Sequence, residues 1–301
     1  MTLTQTASHP AGRMQPTDNR LPMASLLLGG VAISGSPIFV RLSEVGPLST
    51  AFWRVALALI PLGLVFIFRR DKGVAPQTMR DRVMLTLPGI MLAANLACWH
   101  LSIHMTSVAN STLLANLAPV FVTIFGWALF RLPITRAFVL GLMTAAVGIL
   151  VLKGGPAAIG GGALKGDLVA TISAMFYAGY ILSVGRLRSR FDTLRIMVWG
   201  SASAAICVLP AALMFENTLF PTTLPGWATV FGIAFISHAS GQVLITYALA
   251  FLPAAFSSLT LLLQPVGASI LAWLVLNEPI GLMQAAGGLI VLAGIAIARR
   301  G

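Results

Sequence analysis

Polar side chains set at helical spacing inside otherwise apolar stretches are the groups of this sequence that can do chemistry. Between residues 84 and 104, Asn95, Trp99 and Ser102 recur at spacings of four and three and share one helical stripe, with His100 and His104 on the next. Trp99 can stack on an apolar or aromatic solute, and His100 can offer a hydrogen bond or titrate near neutral pH. The same groups can equally serve as bonds between helices. His238, Gln242 and Thr246 are each four apart, so they form a second stripe. Ser34 and Ser36, Asn116, Tyr177 and Tyr180, and Gln264 add further polar groups within apolar runs. Three prolines interrupt those runs: Pro37, Pro119 and Pro265. Pro119 removes the N–H that would bond the Ala115 carbonyl, and Pro265 does the same to Leu261, so these two are candidate hinges with exposed backbone acceptors, and Pro37 is a third candidate hinge.

Charged groups are sparser. Arg54 lies about six residues, or roughly 9 Å, inside its apolar run. It can snorkel to the surface, reach the carboxylate of a solute, or pair with an acid such as Glu44. Glu278 is expected in the last loop as a charge that could gate. No carboxylate is expected at mid-membrane, so proton coupling would rest on His100 or His238, and uncoupled export is an open alternative. A metal site is not expected, because His100 and His104 have no third ligand near in sequence. No GxxxxGK[ST] loop occurs, so neither ATP nor another cofactor is expected. The absence of paired acid and base groups in any loop argues against a lipid-modifying enzyme, and a channel for small solutes remains a rival to a carrier.

The elements that position these groups follow from composition. The chain has 301 residues, of which 57% are hydrophobic and 9% charged. A soluble chain carries roughly 25% charged residues, and a mean hydropathy of +0.92 leaves too few polar groups for a water-facing skin. The apolar residues fall into ten runs near 23–41, 48–68, 84–104, 107–130, 136–153, 166–185, 195–215, 226–250, 253–275 and 280–298. Runs of about 20 residues can cross a hydrocarbon core. The fold expected is all-α integral membrane, with ten transmembrane helices. Residues 1–22 read as a disordered cytoplasmic tail, 23–153 as a first unit, 154–165 as a linker and 166–301 as a second unit. The net charge of +11 does not point to nucleic acid, because the basic residues sit between apolar runs rather than along one face. If the N terminus is cytoplasmic, fifteen of the 19 basic residues fall inside and three outside, with Arg54 in a span. That bias places both termini in the cytoplasm. Cys98 and Cys207 lie deep in apolar runs and are expected as small packed residues.

The two units superpose at an offset of 146 residues. Pro119, Trp127 and Pro133 fall on Pro265, Trp273 and Pro279; Gly141 and Gly148 on Gly287 and Gly294; Ser111 on Ser257; and Trp53 on Trp199. Each unit has five crossings, an odd number, so the second must enter the membrane from the opposite side. Inverted repeats of this kind can present one central site alternately to either face. The glycine pairs, two helical turns apart, are expected to let helices approach closely, within the chain or between subunits of a homodimer.

The stretches AFWRVALAL (51–59), SVANSTLLANLAPVF (107–121), KGDLVATISAMFYAGYIL (165–182) and NEPIGLMQAAGGLIVLAGIAIA (277–298) resemble the repeat signatures of the EamA-type drug/metabolite transporter superfamily, including its ten-helix YddG-like exporters. The resemblance implies an inner-membrane exporter of amino acids or related small metabolites, with a cavity lined mainly by helices 1, 3, 4, 6, 8 and 9. Arg54 matches the superfamily's arginine on helix 2. Glu278 matches its glutamate before the last helix of the second repeat, whereas the first repeat has Leu132 there.

Overall fold

The structure, a computed structural model, describes residues 19–70, 73–106, 111, 114–152, 154, 164–276 and 281–300. Among these residues the chain forms ten helical units, each an apolar run closed by polar or turn residues. They are α1 in two pieces (Arg20–Ser34 and Ser36–Leu42), α2 (Pro47–Phe68), α3 (Met79–Met105), α4 (Ala118–Phe130) and α5 (Arg136–Leu152). The second half gives α6 (Leu164–Leu187), α7 (Thr193–Phe215), α8 (Leu224–Ala248), α9 in two pieces (Ala254–Thr260 and Leu263–Leu276) and α10 (Leu282–Ala298). Seven of the runs are long and apolar enough to cross a membrane, and α4, α5 and α10 are shorter apolar helices. Large apolar side chains such as Leu28, Phe68, Leu129, Ile206 and Leu289 face outward, as a lipid-facing surface requires.

Several local features differ from the sequence reading. The first helix begins at Arg20, inside the stretch read as a tail; residues 1–18, most of the linker and Glu278 lie outside the described residues. α1 breaks at Gly35, and Pro37 enters the first turn of the second piece, where a missing N–H costs no helical bond. Leu114 and Ala115 are helical and are separated from α4 by a turn at Asn116–Leu117, much as a turn at Leu261–Leu262 separates the two pieces of α9; these breaks lie just ahead of Pro119 and Pro265. The Leu261 carbonyl is not left exposed: the Gln264 N–H takes it at 3.0 Å in a tightened turn. Past each break a hydroxyl bonds back to the proline carbonyl, Thr123 to Pro119 at 2.7 Å and Ser269 to Pro265 at 3.0 Å. α8 contains a π-helical segment, Ile233–Gln242. Cys207 faces outward rather than packing inside.

The glycine pairs lie within one chain, at a seam between α5 and α10. A Cβ on Gly141 would stand 2.5 Å from the Gly294 carbonyl oxygen, and one on Gly148 would stand 2.9 Å from that of Gly287. The contacts read in opposite directions along the two helices, so α5 and α10 are antiparallel. They are also equivalent helices of the two repeats. Antiparallel packing of equivalents means that the second repeat is inverted relative to the first. α2 and α7 repeat the relation: the start of α2 meets the end of α7 through Leu48 and Glu216, and the end of α2 meets the start of α7 through Arg69 and Asp192.

Candidate functional site

Six of the polar residues singled out in the sequence converge inside the bundle. Tyr177 and Tyr180, one turn apart on α6, stack with ring centres 5.9 Å apart and planes 8° from parallel. The Gln242 side-chain amide of α8 donates to the Tyr180 hydroxyl at 2.6 Å, and Gln264 of α9 is hydrogen-bonded to Tyr177. His238, one turn before Gln242, is 1% exposed and shares a 2.9 Å hydrogen bond with Ser201 of α7 through its Nε2. Its Nδ1 has no partner among the described residues. Arg54 of α2 lies within electrostatic reach of Tyr177, Tyr180 and His238. It therefore points into the bundle rather than snorkelling to the surface. His238 and Gln242, four apart within the π-helical segment of α8, both face the side of α6 and α7. A cavity of about 10 Å³, room for about one water, lies between Pro88, Leu92, Tyr180, Ser201 and His238. The cluster offers stacked aromatic faces, hydrogen-bond donors and acceptors, and one cation.

The third-helix candidates stand elsewhere. α3 runs antiparallel along α6: Pro88 and Leu92 share the cavity with Tyr180, Asn95 bonds Ser173, and Met105 packs on Gly166. Trp99 and His100 lie between the last two contacts, about two turns from the tyrosines. Their rings meet each other at 4.9 Å. Asn95 acts as a clamp between helices: its side-chain amide donates to the Ser173 carbonyl at 3.0 Å and hydroxyl at 2.9 Å, while its backbone carbonyl accepts from that hydroxyl at 3.0 Å. Asn95→Ala is therefore expected to lower stability by about 1 kcal/mol, in line with hydrogen bonds between membrane helices. A melting curve of the purified protein measures this, and the apparent affinity for any solute moved should stay unchanged. Ser34 donates to the Gly30 carbonyl at 2.8 Å and abuts Gly267 of α9. Ser36 is buried without a hydrogen-bond partner among the described residues. Asn116 sits half-buried in the turn that breaks α4.

Carboxylates are used at the ends of the bundle. Glu44 does not pair with Arg54: it accepts the N–H groups of Thr222 and Thr223 at 2.9 and 3.1 Å and the Thr223 hydroxyl, at the start of α8. Those bonds, led by the Thr223 hydroxyl, hold its carboxyl below the usual carboxylate range. Glu216, after α7, reciprocates by accepting the Leu48 and Ser49 N–H groups at 2.6 and 2.8 Å, at the start of α2. Each acid binds orphan donors at a helix N terminus, where negative charge is favoured. The opposite end has an equivalent clasp with other chemistry. Arg190, the repeat counterpart of Glu44, pairs with Asp81 at the start of α3 at 2.5 and 3.1 Å. Arg69 meets Asp192 at the start of α7 at 3.5 Å. Sequence reasoning missed Ser173, Ser201 and the role of Glu216, because each acts through a partner far away in the chain.

Comparisons with known proteins fit this architecture. The pattern of the EamA-like transporter family matches residues 21–153 and 164–300. The pseudopaline exporter CntI of Pseudomonas aeruginosa is 29% identical over 249 residues, covering 82% of this chain and 84% of its own. An uncharacterised transporter of Archaeoglobus fulgidus is 26% identical over 271 residues, covering 87% and 91%. A solved crystal structure superposes with a TM-score of 0.78 at 19% identity, over 92% of this chain and 98% of its own, which shows the same fold.

Proposed function

Since the chain belongs to the EamA-like transporter family, and is thus a multi-pass membrane transporter rather than an enzyme, we propose that it exports small metabolites, with amino acids as the leading class. Transport proceeds by alternating access across a bacterial-type inner membrane, with both termini in the cytoplasm. The observation that carries this reading is the polar cluster of α2, α6, α8 and α9, set at mid-depth between inverted repeats. In this reading Tyr177, Tyr180, His238, Gln242 and Gln264 bind the solute, with Ser34, Ser36 and Asn116 beside the breaks of α1 and α4. Those breaks and the one in α9 serve as hinges. Asn95, Trp99 and His100 hold the wall.

The name of the Pseudomonas relative supports export of a small metabolite. The excess of basic residues in the segments assigned to the inside supports the orientation of the termini. Uncoupled export is favoured by the partners of the acids: every carboxylate among the described residues is engaged by groups near the helix ends.

Proteoliposomes loaded with unlabelled solute test the proposal. Saturable counterflow of labelled amino acid, weakened at least about tenfold in apparent affinity by Gln242→Ala as expected for loss of a buried hydrogen bond, supports a carrier. Flux that never saturates indicates a channel and overturns alternating access.

A further inference from the structure

Arg54 is a half-buried cation of α2 with no carboxylate partner among the described residues. Its neighbours are the phenols of Tyr177 and Tyr180 and the imidazole of His238. The described carboxylates are all held elsewhere. Glu44 and Glu216 bind helix starts, Asp81 holds Arg190, and Asp192 holds Arg69 and Arg195. Asp167 accepts the Thr106 hydroxyl at 2.6 Å. A guanidinium at this depth is costly to leave without a counter-charge. Arg54 is half-buried rather than fully enclosed. Its planar fork suits a carboxylate, which it can bind with two parallel hydrogen bonds.

We propose that the transported solute carries a carboxylate and that Arg54 is the group that binds it, with Tyr177, Tyr180, Gln242 and Gln264 holding the rest of the molecule. This rests on the exporter reading and sharpens it. Amino acids and other small carboxylic acids are substrates and are preferred over the corresponding amines and carboxamides. The lack of an opposing acid among the described residues disfavours cationic solutes, because a free ammonium beside Arg54 meets like charge unless its own carboxylate intervenes.

The test is counterflow in proteoliposomes of the full chain, using amino acids and small mono- and dicarboxylates, each beside its carboxamide. For wild-type protein at least one acid is expected to show saturable exchange, with its carboxamide weaker by about tenfold or more, the size of a lost charge-assisted hydrogen bond. Arg54→Gln is expected to erase the difference between acid and carboxamide, and Arg54→Lys to retain part of it. The wild-type comparison needs no variant, so it holds even if Arg54→Gln fails to fold. Equal exchange of acids and carboxamides, or an Arg54→Gln protein of unchanged melting temperature that still discriminates, overturns the role of Arg54 and leaves the exporter reading intact. No saturable exchange of any member overturns the exporter reading and this inference with it.

Discussion

Gly287→Val is expected to yield little folded protein, and Gly287→Ala a protein that melts well below wild type. A Cβ at this position would fall within 3 Å of the Leu152 backbone and of the Gly148 carbonyl oxygen. These are backbone atoms, which cannot swing aside as a long side chain does. Relief requires α5 and α10 to separate, and helix association in a membrane depends on close packing for lack of a hydrophobic drive. Overpacking of this kind costs about 1–3 kcal/mol or more. Helix propensity alone would favour alanine over glycine by about 1 kcal/mol, so the expected sign comes from the seam. Gly63→Ala is the control: nothing lies within 4 Å of its Cβ position, and the variant should be neutral or slightly stabilised. Monodispersity after gel filtration and a melting curve measure both. A Gly287→Ala protein as stable as Gly63→Ala would remove the seam as a rigid contact.

The second large effect is expected at the clasp made by Glu44 and Glu216. Glu216→Ala leaves the Leu48 and Ser49 N–H groups without their acceptor. Hydrogen bonds to a charged group contribute about 1.5–3 kcal/mol each. Even one such loss shifts the balance between closed and open forms about tenfold, since about 1.4 kcal/mol corresponds to a factor of ten. Thr50 lies just behind the clasp and is 1% exposed, so a cysteine there reports opening. In a background lacking Cys98 and Cys207, an impermeant maleimide added outside should label Thr50→Cys about tenfold faster once Glu216 is alanine. Arg190→Ala, which releases Asp81 at the opposite end, should slow the same labelling, and the double variant should return towards the starting rate. Labelling that ignores both changes would mean that these bonds do not govern opening.

Span number and the inverted pairing were legible in the sequence, because a run of apolar residues has a length the bilayer dictates and an odd crossing count has a direction. Helical periodicity also gave the polar face of α8. It could not give depth: Asn95 and Trp99 lie on a coherent stripe, yet the antiparallel run of α3 along α6 carries them past the tyrosines. Ser173 and Ser201 carry no signal of their own, since serine in a membrane helix also bonds back to its own turn, as Ser203 does to Trp199. The π-helical winding of α8 changes local winding without changing hydropathy, so it too was invisible, whereas Pro37 marked the break of α1 to within two residues. The partner of Glu216 lies 168 residues away, and no local pattern encodes it.

The glycine seam has one more implication. Gly141 meets Gly294 while Gly148 meets Gly287, and exchanging the halves maps each contact onto the other. Such a surface is its own complement. Two separate copies of one five-helix half, one upright and one upside down, would find in it a ready-made joint, and covalent fusion relieves the chain of having to insert both ways.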